Sequence, residues 1–352
     1  MSPATHRVYL HVGLPKTGTT SLQELMWHHR ESLAERGLLY PGEDPIAQHR
    51  AVMDVHADRY RQWDEPGVAG SWDQLVERLR TWHGDAVFST ELLAPASPHE
   101  AARVRDALHF AELHVVCTAR DFSRQVPSVW QENVKTRHTT GYAEFLDAVR
   151  VPELNDVSRL FWDYQDLPRV LRTWAGTLPP ERVHVVTVPR GASTGTLWDR
   201  FASVLGVDTT GLHTGIGLHN FSLGTGETEL LRRLNERVVH ELDWPRYSGF
   251  VKEHLVERIL AHRDGGARPV LPPEAHDWAH DTALRFVREI ADAGYRVVGD
   301  PDELIPSPPA DTGTGPSPVP GSPDGRVDEA ELLDIALDAL AGLARETPPA
   351  PE

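Results

Sequence analysis

Between the apolar run Val8 to Val12 and the helically spaced Leu22, Leu25, Met26 and Leu33 lies the turn Gly13-Leu-Pro-Lys-Thr-Gly-Thr-Thr-Ser21. A glycine-rich turn from strand to helix gathers backbone N–H groups and the positive end of the helix dipole at one point, which is chemistry for holding an anion. Gly13 and Gly18 have the spacing of a Walker A loop, but Thr19 stands where that loop carries its lysine, followed by Thr20. The lysine has moved inside the turn, to Lys16. A nucleoside triphosphatase or kinase built this way lacks its usual contact to the β and γ phosphates, which weighs against that reading. Only three of the 35 basic residues are lysines, Lys16, Lys135 and Lys252. In so arginine-rich a chain, Lys16 points to a task for a compact ammonium.

The string Leu10-His-Val-Gly-Leu-Pro-Lys-Thr-Gly-Thr-Thr-Ser-Leu-Gln23 closely resembles the 5′-phosphosulfate loop of the sulfotransferases that use 3′-phosphoadenosine 5′-phosphosulfate (PAPS), and best the bacterial branch of that family. The resemblance implies that Lys16, Thr17, Gly18, Thr19, Thr20 and Ser21 hold the 5′-phosphate. It also implies that Lys16 stabilises the bridging oxygen as the sulfuryl group departs. Family members carry a second element, an Arg after a central strand and a Ser eight residues later at the start of the next helix, which together bind the 3′-phosphate. The segment Arg120-Asp-Phe-Ser-Arg-Gln-Val-Pro-Ser128 follows the strand ending at Thr118 with that spacing. A guanidinium fork and a helix-terminal hydroxyl suit a phosphate dianion. Arg124 and Lys135 lie close enough in sequence to assist, or are solvated surface charges.

Sulfuryl transfer, like phosphoryl transfer, needs a positioned donor, a neutralised leaving phosphate and a group that takes the acceptor's proton. That base belongs at the carboxyl end of a strand near the loop. Animal cytosolic members place a histidine there; here the strand reads Ala86-Val-Phe-Ser-Thr-Glu91, so Glu91 takes its place, as in the heparan-type and many bacterial members. Partial desolvation at the strand end is expected to raise the Glu91 pKa, with Lys16 opposing. Capping the following helix is its alternative role. His49, in Ala47-Gln-His-Arg50, is the second candidate base, and His11 is explained by packing or a hydrogen bond to the loop. His219-Asn-Phe-Ser222 falls roughly where the family closes a loop over the nucleotide, making Asn220 and Ser222 candidate nucleotide contacts, with capping or a turn as the alternative. The implied reaction passes the sulfuryl group of PAPS to a hydroxyl or amine of a small-molecule, carbohydrate or lipid acceptor and leaves 3′,5′-bisphosphoadenosine, with no metal required. The alternatives are a P-loop small-molecule kinase and a catalytically silent nucleotide-binding or scaffold protein.

Positioning these residues requires strands alternating with helices. Strand-like runs at Val8 to Val12, Ala86 to Ser89, Leu113 to Thr118 and Val183 to Val188 alternate with helical patterns such as Trp72 to Trp82 and Pro98 to Phe110. This predicts an α/β fold, a P-loop-like central parallel sheet flanked by helices. Amphipathic helices are predicted again at Glu227 to Leu242, Glu253 to His262 and Pro273 to Ala293. The sulfotransferase resemblance rests on two spaced motifs and a strand order across residues 6 to 300, and the expected single domain spans 1–304. A Pro/Gly/Ser-rich disordered linker at 305–327 leads to an acidic amphipathic helix at 328–346 and a disordered tail at 347–352. That helix is expected to dock on the chain itself weakly or not at all, or to serve a protein partner.

With 352 residues and 40% apolar side chains, the chain has ample material for a buried core. Its net charge of −17 has the wrong sign for a broad nucleic-acid surface, and residues 301 to 352 carry eleven carboxylates against two arginines. No apolar run approaches the roughly 18 residues of a membrane span, and the amino terminus shows no basic-then-apolar leader, so a cytoplasmic location is expected. Cys117 reads as a buried core thiol. His276 and His280 lack a third ligand and read as surface or packing residues. Trp63, Trp72, Trp130 and Trp162 are candidate acceptor-pocket walls, although tryptophan is more often core.

Overall fold

The computed structural model describes residues 6–63, 65–191, 194–215, 222–263, 266–307 and 327–345. Its strands are β1 (Arg7–His11), β2 (Leu38–Leu39), β3 (Asp85–Ser89), β4 (Glu112–Ala119), β5 (Val183–Thr187) and β6 (Arg296–Val298). They form one all-parallel sheet in the order β2-β3-β1-β4-β5-β6. Consecutive strand residues, such as Val87 and Phe88, Val115 and Val116, or Val185 and Val186, are fully buried. Such unbroken apolar runs are what a sheet covered by helices on both faces demands.

The chain divides into two compact units, and the first comprises Met1–Phe122, Leu160–His219 and Ala279–Pro306. On one face of its sheet, Leu22, Leu25 and Met26 of the helix Thr19–His28 join Trp198, Phe201 and Leu205 of the helix Thr194–Leu205 against Tyr9, Val87, Val116 and Val186. On the other, the helix Leu167–Ala175 packs on β4 and on the helix Pro98–Ala107. Its buried Trp174 donates from Nε1 to the Leu93 carbonyl at 3.0 Å, so the indole is satisfied as well as packed. After β3 the chain crosses β1 to add β4 on the far side. A reversal of strand order of this kind opens a crevice at the carboxyl ends of the strands, where open α/β sheets bind ligands.

The four strands expected from the sequence form within one residue of their predicted ends, and the helix expected at Trp72 to Trp82 runs Ser71–Thr81. β2 and β6, of two and three residues, are too short to leave a periodic signal.

The second unit comprises Ser123–Arg159, Asn220–Trp278 and Ser307–Glu352, and all its regular elements among the described residues are helical. The segment expected as an α-helix at Glu253 to His262 belongs instead to the π-helix Tyr247–Ile259, followed by a 3₁₀ turn at Leu260–His262. An amphipathic pattern does not reveal π-winding, because that depends on how the backbone is held from outside. The terminal helix Glu329–Arg345 buries Leu332, Ile335 and Ala339 against the helix Thr225–Val238 and the π-helix. A Cβ on Gly226 would sit 2.5 Å from Ile335, and one on Gly342 would sit 2.7 Å from Ile259, so both glycines allow close approach. Arg263 pairs with Asp338 at 2.9 Å and also with Glu227, while Arg233 pairs with Glu329 at 2.9 Å. The helix is therefore docked along its length on its own chain. The predicted linker falls mostly on residues 308–326, and the predicted tail at 347–352, which lie outside the described residues. Among the described residues, no helix is long and apolar enough to cross a membrane.

Candidate functional site

The loop after β1 is built from left-handed backbone: Gly13 has φ 114°, Lys16 φ 65° and Gly18 φ 88°. A lysine there is conformationally costly, a feature that concentrates at functional sites. A Cβ on Gly18 would lie 2.5 Å from the tip of Leu197, and the left-handed φ there favours glycine whatever the space. The loop is also zipped to β4, with Leu14 N–H donating to the Thr118 carbonyl at 3.0 Å and Thr118 N–H to the Gly13 carbonyl at 2.6 Å. The helix Thr19–His28 then begins with no side-chain cap from Gly18 and no acidic residue in its first turn. Its N–H groups and dipole favour an anion at this point.

Beneath the loop runs a buried chain of polar side chains. His11 meets Ser89 Oγ through Nδ1 at 2.7 Å and Thr118 Oγ1 through Nε2 at 3.2 Å. Thr118 lies 2.6 Å from Thr17 Oγ1, which in turn donates to the Leu14 carbonyl at 2.5 Å. Burial lowers the His11 pKa to about 4, with the Glu91 charge opposing, so the imidazole is neutral at pH 7. The Thr17 hydroxyl is thus committed to the loop's own architecture. Thr19 and Ser21 are buried also, and Thr20 is the loop hydroxyl exposed to the neighbouring cleft.

That cleft has a volume of about 800 Å³ and is lined by Thr20, Gln23, Glu24, Trp27, His28, Arg30, Pro45, Ile46, His49 and Glu91. The Arg30 guanidinium stacks over the Trp27 ring, 4.4 Å from its centroid. Glu91 and His49 meet here, with Nε2 of the imidazole 3.8 Å from Oε1 of the carboxylate. The other carboxylate oxygen accepts from Gln23 Nε2 at 3.0 Å. His49 rides on the helix Ala47–Val55, whose buried Gln48 accepts from the Ser89 backbone N–H at 2.6 Å and donates to the Pro41 carbonyl at 2.8 Å. These two glutamines tie the loop helix and the His49 helix to the end of β3.

The Glu91 carboxyl behaves opposite to expectation. Burial pushes its pKa up, but the neighbouring His49 imidazole, its own backbone N–H and Gln23 outweigh this and hold it at about 2. The expected cap role is not its own either, since Thr90 caps the short 3₁₀ turn that begins at Glu91, and Ser97 caps the next helix.

Arg120, just beyond β4, donates from Nη1 to the Lys16 carbonyl at 3.4 Å, which brings a second cationic side chain against the loop. Ser128 is not at a helix start: the helix runs Phe122–Lys135, so Ser128 sits in its middle, one residue after Pro127. Its hydroxyl donates to the Arg124 carbonyl at 2.9 Å. Lys135 closes that helix and is buried. Ser222 donates to Gln131 Oε1 at 3.2 Å, and Asn220 lies outside the described residues.

Cys117 is buried, as expected, and burial pushes its thiol pKa well up. His276 bonds the Leu271 carbonyl, and among the described residues no three His, Cys, Asp or Glu side chains gather as a metal site. Trp72 and Trp130 are core residues, whereas Trp27, not singled out in the sequence, forms a wall of the cleft. Its signal was present: Thr20, Glu24, Trp27 and His28 recur at helical spacing from the loop. Compared with models of protein families, with curated proteins and with solved structures, the chain gives no match.

Proposed function

We propose that this chain is a PAPS-dependent sulfotransferase, passing a sulfuryl group to the hydroxyl or amine of a small acceptor. The observation that carries the reading is the loop with Lys16 inside it, opening beside a cleft that holds Thr20 at one edge and the Glu91–His49 pair. The donor set suits a doubly phosphorylated nucleotide: an ammonium, a guanidinium against the loop backbone, and a helix N-terminus free of acidic residues. PAPS supplies the sulfuryl group and, in its phosphate, the leaving group. Lys16 and the amides from Gly18 to Ser21 hold the 5′-phosphate and neutralise charge that develops on it. Arg120 holds the 3′-phosphate. The cleft orients the acceptor, and the Glu91–His49 pair takes its proton.

Calorimetric titration with 3′,5′-bisphosphoadenosine and with Mg-ATP tests this reading. Tight binding of the bisphosphate, weakened at least tenfold in Lys16→Ala, is the expected result. Tight Mg-ATP binding with none of the bisphosphate would overturn the proposal in favour of a kinase. Bisphosphate binding with no transfer to any acceptor would favour a silent nucleotide-binding protein.

A further inference from the structure

Building on the sulfuryl-transfer reading, we infer that His49 is the catalytic base of the cleft and that Glu91 is the residue that positions it. Both Glu91 oxygens are engaged, one by Gln23 at 3.0 Å and one facing His49 at 3.8 Å. A carboxylate with both oxygens so occupied is turned to holding its neighbours, whereas the imidazole borders the cleft and is the side chain suited to accepting the proton. About a quarter of the His49 side chain is open to the cleft. Its helix is pinned by Gln48 to the backbone of Ser89, two residues before Glu91. Gln48 thus ties the helix that carries His49 to the strand end that leads to Glu91.

Among the described residues, charged and titratable groups reach His49 from several elements. Glu91 faces it from the end of β3; Glu24, His28 and Arg30 face it across the cleft; Arg50, on its own helix, is paired with Asp44 at 2.7 Å. The helix Ser71–Thr81, packed behind, adds no titratable side chain to the lining.

In the step itself, the acceptor O–H bond breaks and its proton passes to the imidazole. The oxygen's electron pair forms the new O–S bond as the bond from sulfur to the phosphate oxygen breaks, that pair leaving with the phosphate. Glu91 stabilises the imidazolium, which then releases its proton to solvent.

The test measures release of 3′,5′-bisphosphoadenosine from PAPS between pH 5 and 8, with water and with a panel of phenols, sugars and amino alcohols as acceptors. Wild-type protein should lose rate on the acid side. His49→Ala should lose about 10²–10⁴-fold in rate and the acid limb with it, and added imidazole should restore part of the rate. Glu91→Gln should be slower but keep the acid limb. Retained bisphosphate binding and an unchanged melting temperature, with His49→Gln as a second variant, separate lost chemistry from lost folding. A flat wild-type profile, an acid limb that survives in both His49 variants, or one that vanishes in His28→Ala instead, would overturn the assignment while leaving sulfuryl transfer intact. No wild-type turnover with any acceptor would overturn the transfer reading and the assignment together.

Discussion

Two of the glutamate–histidine pairs in the first unit look alike on paper. Glu91 lies 3.8 Å from His49 and Glu100 lies 3.6 Å from His56. Both carboxyls are drawn down to about 2 against the opposing effect of burial. What surrounds each pair makes the difference. Glu100 closes a capping box, accepting from Ser97 N–H at 2.7 Å, and also pairs with Arg59 at 3.2 Å. His56 is wholly buried, and burial, reinforced by Arg59 and Arg103 and opposed by Glu100, lowers its pKa to about 4. It stays neutral and packs. The partners of Glu91 are a neutral amide and the imidazole itself, and that imidazole borders a cleft. The same two residue types thus make a helix terminus in one place and line a cleft in the other, because burial and the competing Arg59 differ between the two surroundings.

Exchanging the tests between the two pairs gives the largest contrast. His49→Ala should cost roughly 3–5 kcal/mol in activation free energy, the equivalent of its rate loss. His56→Ala should leave the rate's pH profile unaltered but destabilise the fold by about 2–4 kcal/mol through the cavity it leaves, measured by denaturant titration. A rate loss in His56→Ala at full stability would erase the distinction.

A smaller effect sharpens it through pH. His56 has a folded pKa of about 4, below its ordinary 6.5, so the unfolded chain takes up a proton that the folded chain refuses. Stability should therefore fall as pH drops from about 6.5 toward 4. Glu100, depressed from 4.5 to about 2, contributes stability above pH 4.5 that is lost as pH falls toward 2. Denaturation midpoints of His56→Gln should decline less steeply than wild type in the upper window only, with His11 and His184, also near 4, supplying the remaining slope. An unchanged slope would show that His56 is not held neutral by the fold. The smallest effect is expected from Ser97→Ala, about 1 kcal/mol by thermal melting for the lost cap, with no effect on turnover.

The loop and its lysine were legible because they depend on neighbours in the chain: Gly13, Lys16 and Gly18 lie within six positions, and the strand and helix that flank them carry their own apolar patterns. The same holds for β1, β3, β4 and β5, whose runs of valine and leucine demand burial wherever they occur. The π-winding at Tyr247–Ile259 and the start of the helix that carries Ser128 were not legible. Ser128 is expected at a helix start, yet the helix begins at Phe122 and runs through Pro127, since surrounding contacts can outweigh one missing backbone donor.

By itself, then, the sequence determined the strand–loop–helix unit, the placement of Lys16 off the Walker position and the alternating architecture, all set by local sterics and hydrophobic periodicity. Only the tertiary structure decided that Gln23 and His49 would converge on Glu91 and reverse its expected pKa. It also decided that Thr17, Thr118 and His11 would brace the loop from below and that the terminal helix would close onto its own chain. Those outcomes join residues tens to more than a hundred positions apart. Their strength comes from burial and from hydrogen-bond geometry, which exist only once the sheet has brought the strand ends together.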